Sequence, residues 1–200
     1  MKPKIYFQDK IDEKLFKQEL EICKNYKAKK RVNEFTIGRL AGRKALKALS
    51  ISNFPILKSQ SGAAIWPDGV YGSISHSNNK AAAVAAKDFN LIGIDLEYLK
   101  KELNINLKKR VCTENEKKWV GDDKKKLLSI FSTKEAIYKA YYPIRKLRFK
   151  DVELTKNEKG FSVKLNIDLN EKFKKNFLFN SFLDRKEDYI TSLVFLESTY

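Results

Sequence analysis

Two hundred residues suit one domain or two small ones. A hydrophobic content of 42% with 12% aromatics excludes a disordered chain. The formal charge of +16 calls for an acidic partner: nucleic acid, anionic membrane, a phosphorylated small molecule or an acidic protein. The opening "KPKIYF" reads as a short strand, and no apolar leader accompanies it, so no secretory signal is expected. Asp12 to about Lys27 has helical spacing through Leu15, Phe16, Glu19, Leu20 and Ile22. After the basic run Lys27–Arg31 a second helix is expected over Asn33–Leu49, with Gly38, Gly42, Ala45 and Leu49 on one side. Two glycines weaken a helix by about 1 kcal/mol each, so close packing must offset them. Arg39, Arg43 and Lys47 form a basic stripe, by default a solvated one, though Arg39 and Arg43 with Arg31 upstream can also clamp phosphate bidentately. Residues 50–72 carry loop punctuation from Pro55, Gly62, Pro67, Gly69 and Gly72. "GSISHS" and "KAAAVAAK" read as strands, and "KDFN" as a connector into the strand "LIGIDLE". "TENE" at 113–116 is a capping box. A long helix follows from about Asp122 to Tyr141, stopped by Pro143, and the rest is mainly strand with turns at "NEKG" and "DRKED".

The halves echo one another. Each opens on a strand that ends near an acid, "KIYFQD" and "LIGIDLE", then runs through helices into strands. Laying residues 39–46 over 134–141 matches Arg39 with Lys134 and Ala45 with Ala140. The expected architecture is α+β, two similar halves related by a pseudo-twofold axis with the active site at their interface. The halves are placed at residues 1–88 and 89–200.

Three patterns could carry chemistry. In a strand Gly93, Asp95 and Glu97 share one face, with the carboxylates about 7 Å apart. They repel unless a cation or a proton intervenes. An oxygen-only ligand set suits Mg²⁺ or Mn²⁺; the alternative is an edge strand whose polar face is salt-bridged to lysines. Gly93 leaves room for a ligand near the backbone. Glu135 and Lys139 lie four apart in "FSTKEAIYKAYYP", either an ordinary surface pair or, given the crowding Phe131, Ile137, Tyr138 and Tyr141, a half-buried one able to add a third carboxylate. His76, between Ser75 and Ser77, is a hydrogen-bonded strand-end histidine or part of a phosphate site. "GSISHS" is not a serine-hydrolase elbow. Cys23 and Cys112 have no metal or redox spacing and are expected to be reduced thiols of a cytoplasmic protein.

"RVNEFTIGRLAGRKAL", "WPDGVYGSISHS", "IGIDLE" and "FSTKEAIYKAYYP", in this order over residues 31–143, resemble the 4′-phosphopantetheinyl transferases of the long, pseudo-dimeric type. "VCTENE" adds a weaker likeness. The resemblance implies transfer of the phosphopantetheine arm of coenzyme A to a serine of an apo acyl or peptidyl carrier protein, with release of adenosine 3′,5′-bisphosphate. It implies that Asp95, Glu97 and Glu135 hold Mg²⁺ (Mn²⁺ being possible), that Glu135 is the base, and that Lys139 acts on the pyrophosphate and leaving group. It places His76 and Ser75 at the nucleotide phosphates, with Arg31, Arg39 and Arg43 near the 3′-phosphate. The stretch "SQSGAA" at 59–64 departs from the family, which often has a basic residue there; the nearest lysine is Lys58. The implied partners are coenzyme A and an acidic carrier protein, with no nucleic acid, no membrane and a monomeric enzyme. The competing readings are a basic nucleic-acid-binding module, which lacks the usual motifs, and a non-catalytic carrier-binding relative.

Overall fold

The computed structural model describes residues 2–142 and 144–197. Strand β1 (Tyr6–Gln8) is followed by helices α1 (Lys17–Cys23) and α2 (Lys29–Lys47), then β2 (Tyr71–Ser77), β3 (Lys80–Ala86) and β4 (Phe89–Tyr98). Helices α3 (Leu107–Val111), α4 (Glu114–Val120) and α5 (Lys124–Tyr141) come next. A 3-10 turn at Phe149–Asp151 leads into β5 (Val152–Lys156), β6 (Gly160–Leu165), β7 (Leu178–Lys186) and β8 (Tyr189–Glu197). Among the described residues no helix is long and apolar enough to cross a membrane.

The α+β expectation holds, and the two halves share a strand order. One sheet runs β1-β3-β2, the other β4-β8-β7-β6-β5. In each, the first strand of the half pairs with its last, and the last with the one before it. The second half adds the β5–β6 hairpin. Helix α2 packs on the first sheet and α5 on β4 and β8 of the second. Between the sheets, β2 stands against the edge of β4. Ser73 Oγ accepts from the Ile94 amide at 3.1 Å, and Ser77 Oγ accepts from the Tyr98 amide at 3.1 Å. These hydroxyls satisfy edge amides that burial would otherwise leave unpaired. The expected edge strand is thus real, but covered.

Several boundaries move. The first helix is shorter than Asp12–Lys27, running only over Lys17–Cys23. Glu19 is fully buried while Leu20 is about half exposed, at 49%. The reason is polar: Glu19 Oε2 accepts from the Phe16 amide at 3.0 Å and from Arg43, and Glu19 Oε1 accepts from the Ile56 amide at 3.0 Å. The second helix starts at Lys29, so the basic run is its first turn. Phe89 and Asn90, expected in a connector, belong to β4. The capping box at Thr113 forms as expected, with the Thr113 amide donating to Glu116 at 2.7 Å. Asp123 caps α5 through the amides of Lys125 and Lys126. The expected stop at Pro143 lies outside the described residues.

The second half repeats the Glu19 arrangement. Glu116 Oε2 takes the Thr113 amide, Glu116 Oε1 accepts from the Leu154 amide at 2.8 Å, and Lys134 Nζ supplies the cation at 2.7 Å. In each half a buried glutamate three residues past a helix N-cap holds a distant strand or loop amide and a cation from the long helix. Arg39 and Lys134, matched by the sequence overlay, both donate to backbone carbonyls: Arg39 to Ile56 and Leu57, Lys134 to Val111, Phe149 and Val152.

Candidate active site

The period-two alternation of β4 turns Gly93 and Asp95 toward α5. A Cβ on Gly93 would lie 2.0 Å from the Ala136 carbonyl and 2.7 Å from the Ala140 amide. The room at Gly93, expected for a ligand, is taken by the helix backbone. That close approach brings α5 down on the strand, and Lys139 Nζ donates to Asp95 Oδ1 at 2.9 Å and to the Ile94 carbonyl at 3.1 Å. Ser75 Oγ, from β2, donates to the same Asp95 oxygen at 2.9 Å. Glu97 accepts from Ser77 at 3.3 Å and pairs with Lys101 at 2.6 Å.

Asp95 and Glu97 are buried, and Glu135 is half-buried. Burial, reinforced by the Asp95 charge, raises both the Glu97 and the Glu135 carboxyl above the ordinary glutamate range. Glu97 adds to the effect on Glu135, so the three acids share one electrostatic neighbourhood. Among the described residues no three His, Cys, Asp or Glu side chains form a ready-made metal cluster. Lysine ammonium groups stand on Asp95 and Glu97 instead. One atom still asks for a cation: Asp95 Oδ2 is buried with no hydrogen-bond partner. An all-oxygen set of mutually repelling carboxylates with an orphaned acceptor fits a hard divalent ion.

A cleft of about 540 Å³ opens beside these groups, lined from both halves by Arg31, Arg39, Lys58, His76, Tyr138 and Lys139 among others. His76 points into it because Gly72, Ile74 and His76 alternate with the serines that face β4. Gly72 has no room for a Cβ, which would fall 2.4 Å from the Trp66 ring. The imidazole lies 3.5 Å from Arg31 through Nε2 and 3.8 Å from Glu34 through Nδ1. Burial lowers its pKa, with Glu34 pulling the other way. A second cavity of about 790 Å³ lies along another side of α5, lined by Glu135, Tyr138 and the basic residues Arg110, Arg148 and Lys150.

The expected basic stripe does not face solvent; of its members only Lys47 is exposed. Arg39 lines the cleft, but its guanidinium stacks 4.1 Å over Phe35, donates to the Ile56 and Leu57 carbonyls, and is brought by burial down to about 10. Arg43 is not brought to the cleft. It is held by Glu19 and the Lys14 carbonyl and lines a separate small cavity with Phe16 and Phe54. Ser75 faces Asp95, on the acid side of the strand. Lys101, the partner of Glu97, was missed from the sequence; its only signal is the i, i+4 spacing. Glu34 was missed as well.

Comparison with known proteins gives consistent matches. The profile of the 4′-phosphopantetheinyl transferase N-terminal domain matches residues 19–86. That of the 4′-phosphopantetheinyl transferase superfamily matches residues 91–194. The 4′-phosphopantetheinyl transferase Svp of Streptomyces mobaraensis is 35% identical over 135 residues, covering 62% of this chain and 54% of its own length. The 4′-phosphopantetheinyl transferase Npt of Nocardia iowensis is 37% identical, covering 63% and 60%. Enterobactin synthase component D of Salmonella typhimurium is 30% identical, covering 56% and 49%. The chain thus spans between about half and three-fifths of the length of these relatives. Among solved structures, the holo-[acyl-carrier-protein] synthase of Thermotoga maritima aligns at 20% identity with a TM-score of 0.45, covering 56% of this chain and 65% of that one.

Proposed function

The chain belongs to the 4′-phosphopantetheinyl transferase superfamily, and on that premise we propose that it transfers the phosphopantetheine arm of coenzyme A to a serine of an apo acyl or peptidyl carrier protein. The observation that carries this reading is the contact of Lys139 with Asp95 at the wall of the cleft, beside the unpartnered Asp95 Oδ2. It puts a fixed cation and an unsatisfied acid together where a pyrophosphate would lie.

In this reaction the serine oxygen bonds to the phosphorus that carries pantetheine. The bond from that phosphorus to the bridging oxygen breaks, and adenosine 3′,5′-bisphosphate leaves. Such displacement needs positioning and charge neutralisation more than covalent help. Glu135, made more basic by burial and the Asp95 charge, takes the serine proton as a carboxylate, directly or through water. Lys139 neutralises or protonates the departing oxygen. His76 and Arg31 hold the nucleotide phosphates along the cleft. Asp95, Glu97 and Glu135 would hold Mg²⁺, which when bound would supply positive charge to the pyrophosphate.

The two cavities suit the two substrates. Lys139 lines the first and Glu135 the second, while Tyr138 between them lines both. Coenzyme A occupies the first, and an acidic carrier meets the basic rim of Arg110, Arg148 and Lys150 at the second. The test is incubation with coenzyme A, Mg²⁺ and several apo carrier proteins, read by intact mass. A phosphopantetheine mass gain is expected; no gain on any carrier from folded protein overturns the proposal.

A further inference from the structure

The cleft wall holds one acid that neither the metal set nor the transfer step uses. Glu34 follows Arg31 by one turn of α2, so both side chains leave the same helix face and line the cleft. There they meet His76 from β2. Arg31 Nη1 lies 3.3 Å from Glu34 Oε2 and 3.5 Å from His76 Nε2. The same Glu34 oxygen lies 3.8 Å from His76 Nδ1. One carboxylate oxygen therefore serves two groups, and one of them comes from another element. The Glu34 side chain is 14% exposed and that of Arg31 50%, so the acid is the more shielded member of the pair.

The donor chemistry of the three groups allows one arrangement. A guanidinium only donates, and an ionised carboxylate only accepts. The imidazole nitrogen facing Arg31 must offer its lone pair, and the nitrogen facing Glu34 must carry the hydrogen. Both contacts select the same neutral tautomer, with hydrogen on Nδ1 and a lone pair on Nε2. At 3.8 Å the Nδ1 contact is electrostatic rather than a short hydrogen bond, and it still favours the N–H on the side of the acid. Lys139 from α5 and Asp95 from β4 also bear on the ring, less than Glu34 and Arg31 do and with opposite signs.

We infer that Glu34 is a positioning residue of this cleft: it commits Nδ1 of His76 to carry a hydrogen and leaves Nε2 as the nitrogen that serves the ligand. An anionic oxygen arriving beside Arg31 meets a lone pair on Nε2. The ring must then take a proton from solvent at that atom, and the Glu34 charge stabilises the imidazolium that forms. The effect on coenzyme A rests on coenzyme A being the ligand of the cleft; the tautomer does not.

His76 is the only histidine of the chain, so two-bond ¹⁵N–¹H spectra of protein without a polyhistidine tag read this one ring. At about pH 7.5 the neutral ring should show the Nδ1–H tautomer in the wild type and in Glu34→Gln, whose amide oxygen still accepts. Glu34→Ala should shift it toward Nε2–H. Coenzyme A added to the wild type should move the spectrum toward the doubly protonated ring, and calorimetry in two buffers of different ionisation enthalpy should show proton uptake. Charge alone predicts tighter anion binding when an acid is removed from the cleft. Positioning predicts the reverse: roughly tenfold weaker coenzyme A binding in Glu34→Ala, with less proton uptake. An Nε2–H tautomer in the wild type, which needs no variant to measure, overturns the assignment. So does a wild-type tautomer in Glu34→Ala, or coenzyme A binding there that is unchanged or tighter. Failure of the wild type to bind coenzyme A, with the Nδ1–H tautomer present, overturns the reading of the cleft and supports the role of Glu34 toward His76.

Discussion

Lys139 Nζ lies 2.9 Å from Asp95 Oδ1, and this contact joins the long helix of the second half to its first strand at the cleft wall. Asp95 is 6% and Lys139 27% exposed at the side chain, so the pair is only partly screened. Lys139→Met leaves a buried carboxylate unpaired. The expected cost, discounted for the exposed lysine, is about 1–2 kcal/mol. The double variant Asp95→Asn, Lys139→Met recovers most of that stability in urea unfolding and none of the activity. Transferase activity in Lys139→Met falls by roughly a hundredfold or more; near-normal turnover would remove Lys139 from the reaction.

Glu97 and Glu135 make stability depend on pH. Each carboxyl is raised above its ordinary 4.5, so the fold binds its proton more tightly than the unfolded chain does. Stability from this source is full below the unfolded value and is lost as pH rises from there through the folded value. Thermal melts of the metal-free protein should show Glu97→Gln and Glu135→Gln gaining on the wild type as pH climbs above about 4.5. Added Mg²⁺ should close the gap by stabilising the wild type alone. A wild-type curve parallel to both variants would contradict this.

The Lys134–Glu116 pair lies deeper, with both side chains almost fully buried. Lys134→Met strands Glu116 and three backbone carbonyls. We expect a loss of about 3–5 kcal/mol in chemical denaturation. Glu116→Gln in the same chain should lessen the loss, because no unpaired charge is then buried.

Gly93→Ala tests the approach of α5 to β4. The added methyl meets the Ala136 carbonyl, backbone that cannot rotate away. The helix must lift, costing about 3 kcal/mol and carrying Lys139 off Asp95. Retained stability with retained activity would mean that the helix tolerates the shift.

Cys112 is fully buried, and burial pushes its thiol up to about 11. It should resist iodoacetamide near neutral pH until the chain unfolds, whereas the partly exposed Cys23 reacts first. Peptide mapping of a short alkylation separates the two.

Much of the site was legible because its signals are local. Alternation along "IGIDLE" puts Asp95 and Glu97 on one face, helical spacing puts Glu135 a turn from Lys139, and turn residues bound the strands. Local signals also mislead. Arg39 and Arg43 at four-residue spacing look like a solvated stripe. That reading fails because Glu19, 24 residues away, neutralises Arg43 and the Ile56 and Leu57 carbonyls take Arg39, and spacing within a single helix carries no information about such partners.

The sequence by itself determined the element types, the likeness of the halves, the family and the acids, because periodicity, capping and motif order are properties of contiguous residues. Tertiary structure decided which charges meet. It placed Lys139 on Asp95 and Lys101 on Glu97, turned Ser75 toward the acids, withdrew Arg43 from the cleft, and brought Arg31 and Glu34 to His76. These outcomes depend on the energy of burying charge, which is settled only when segments distant in the chain supply the partners.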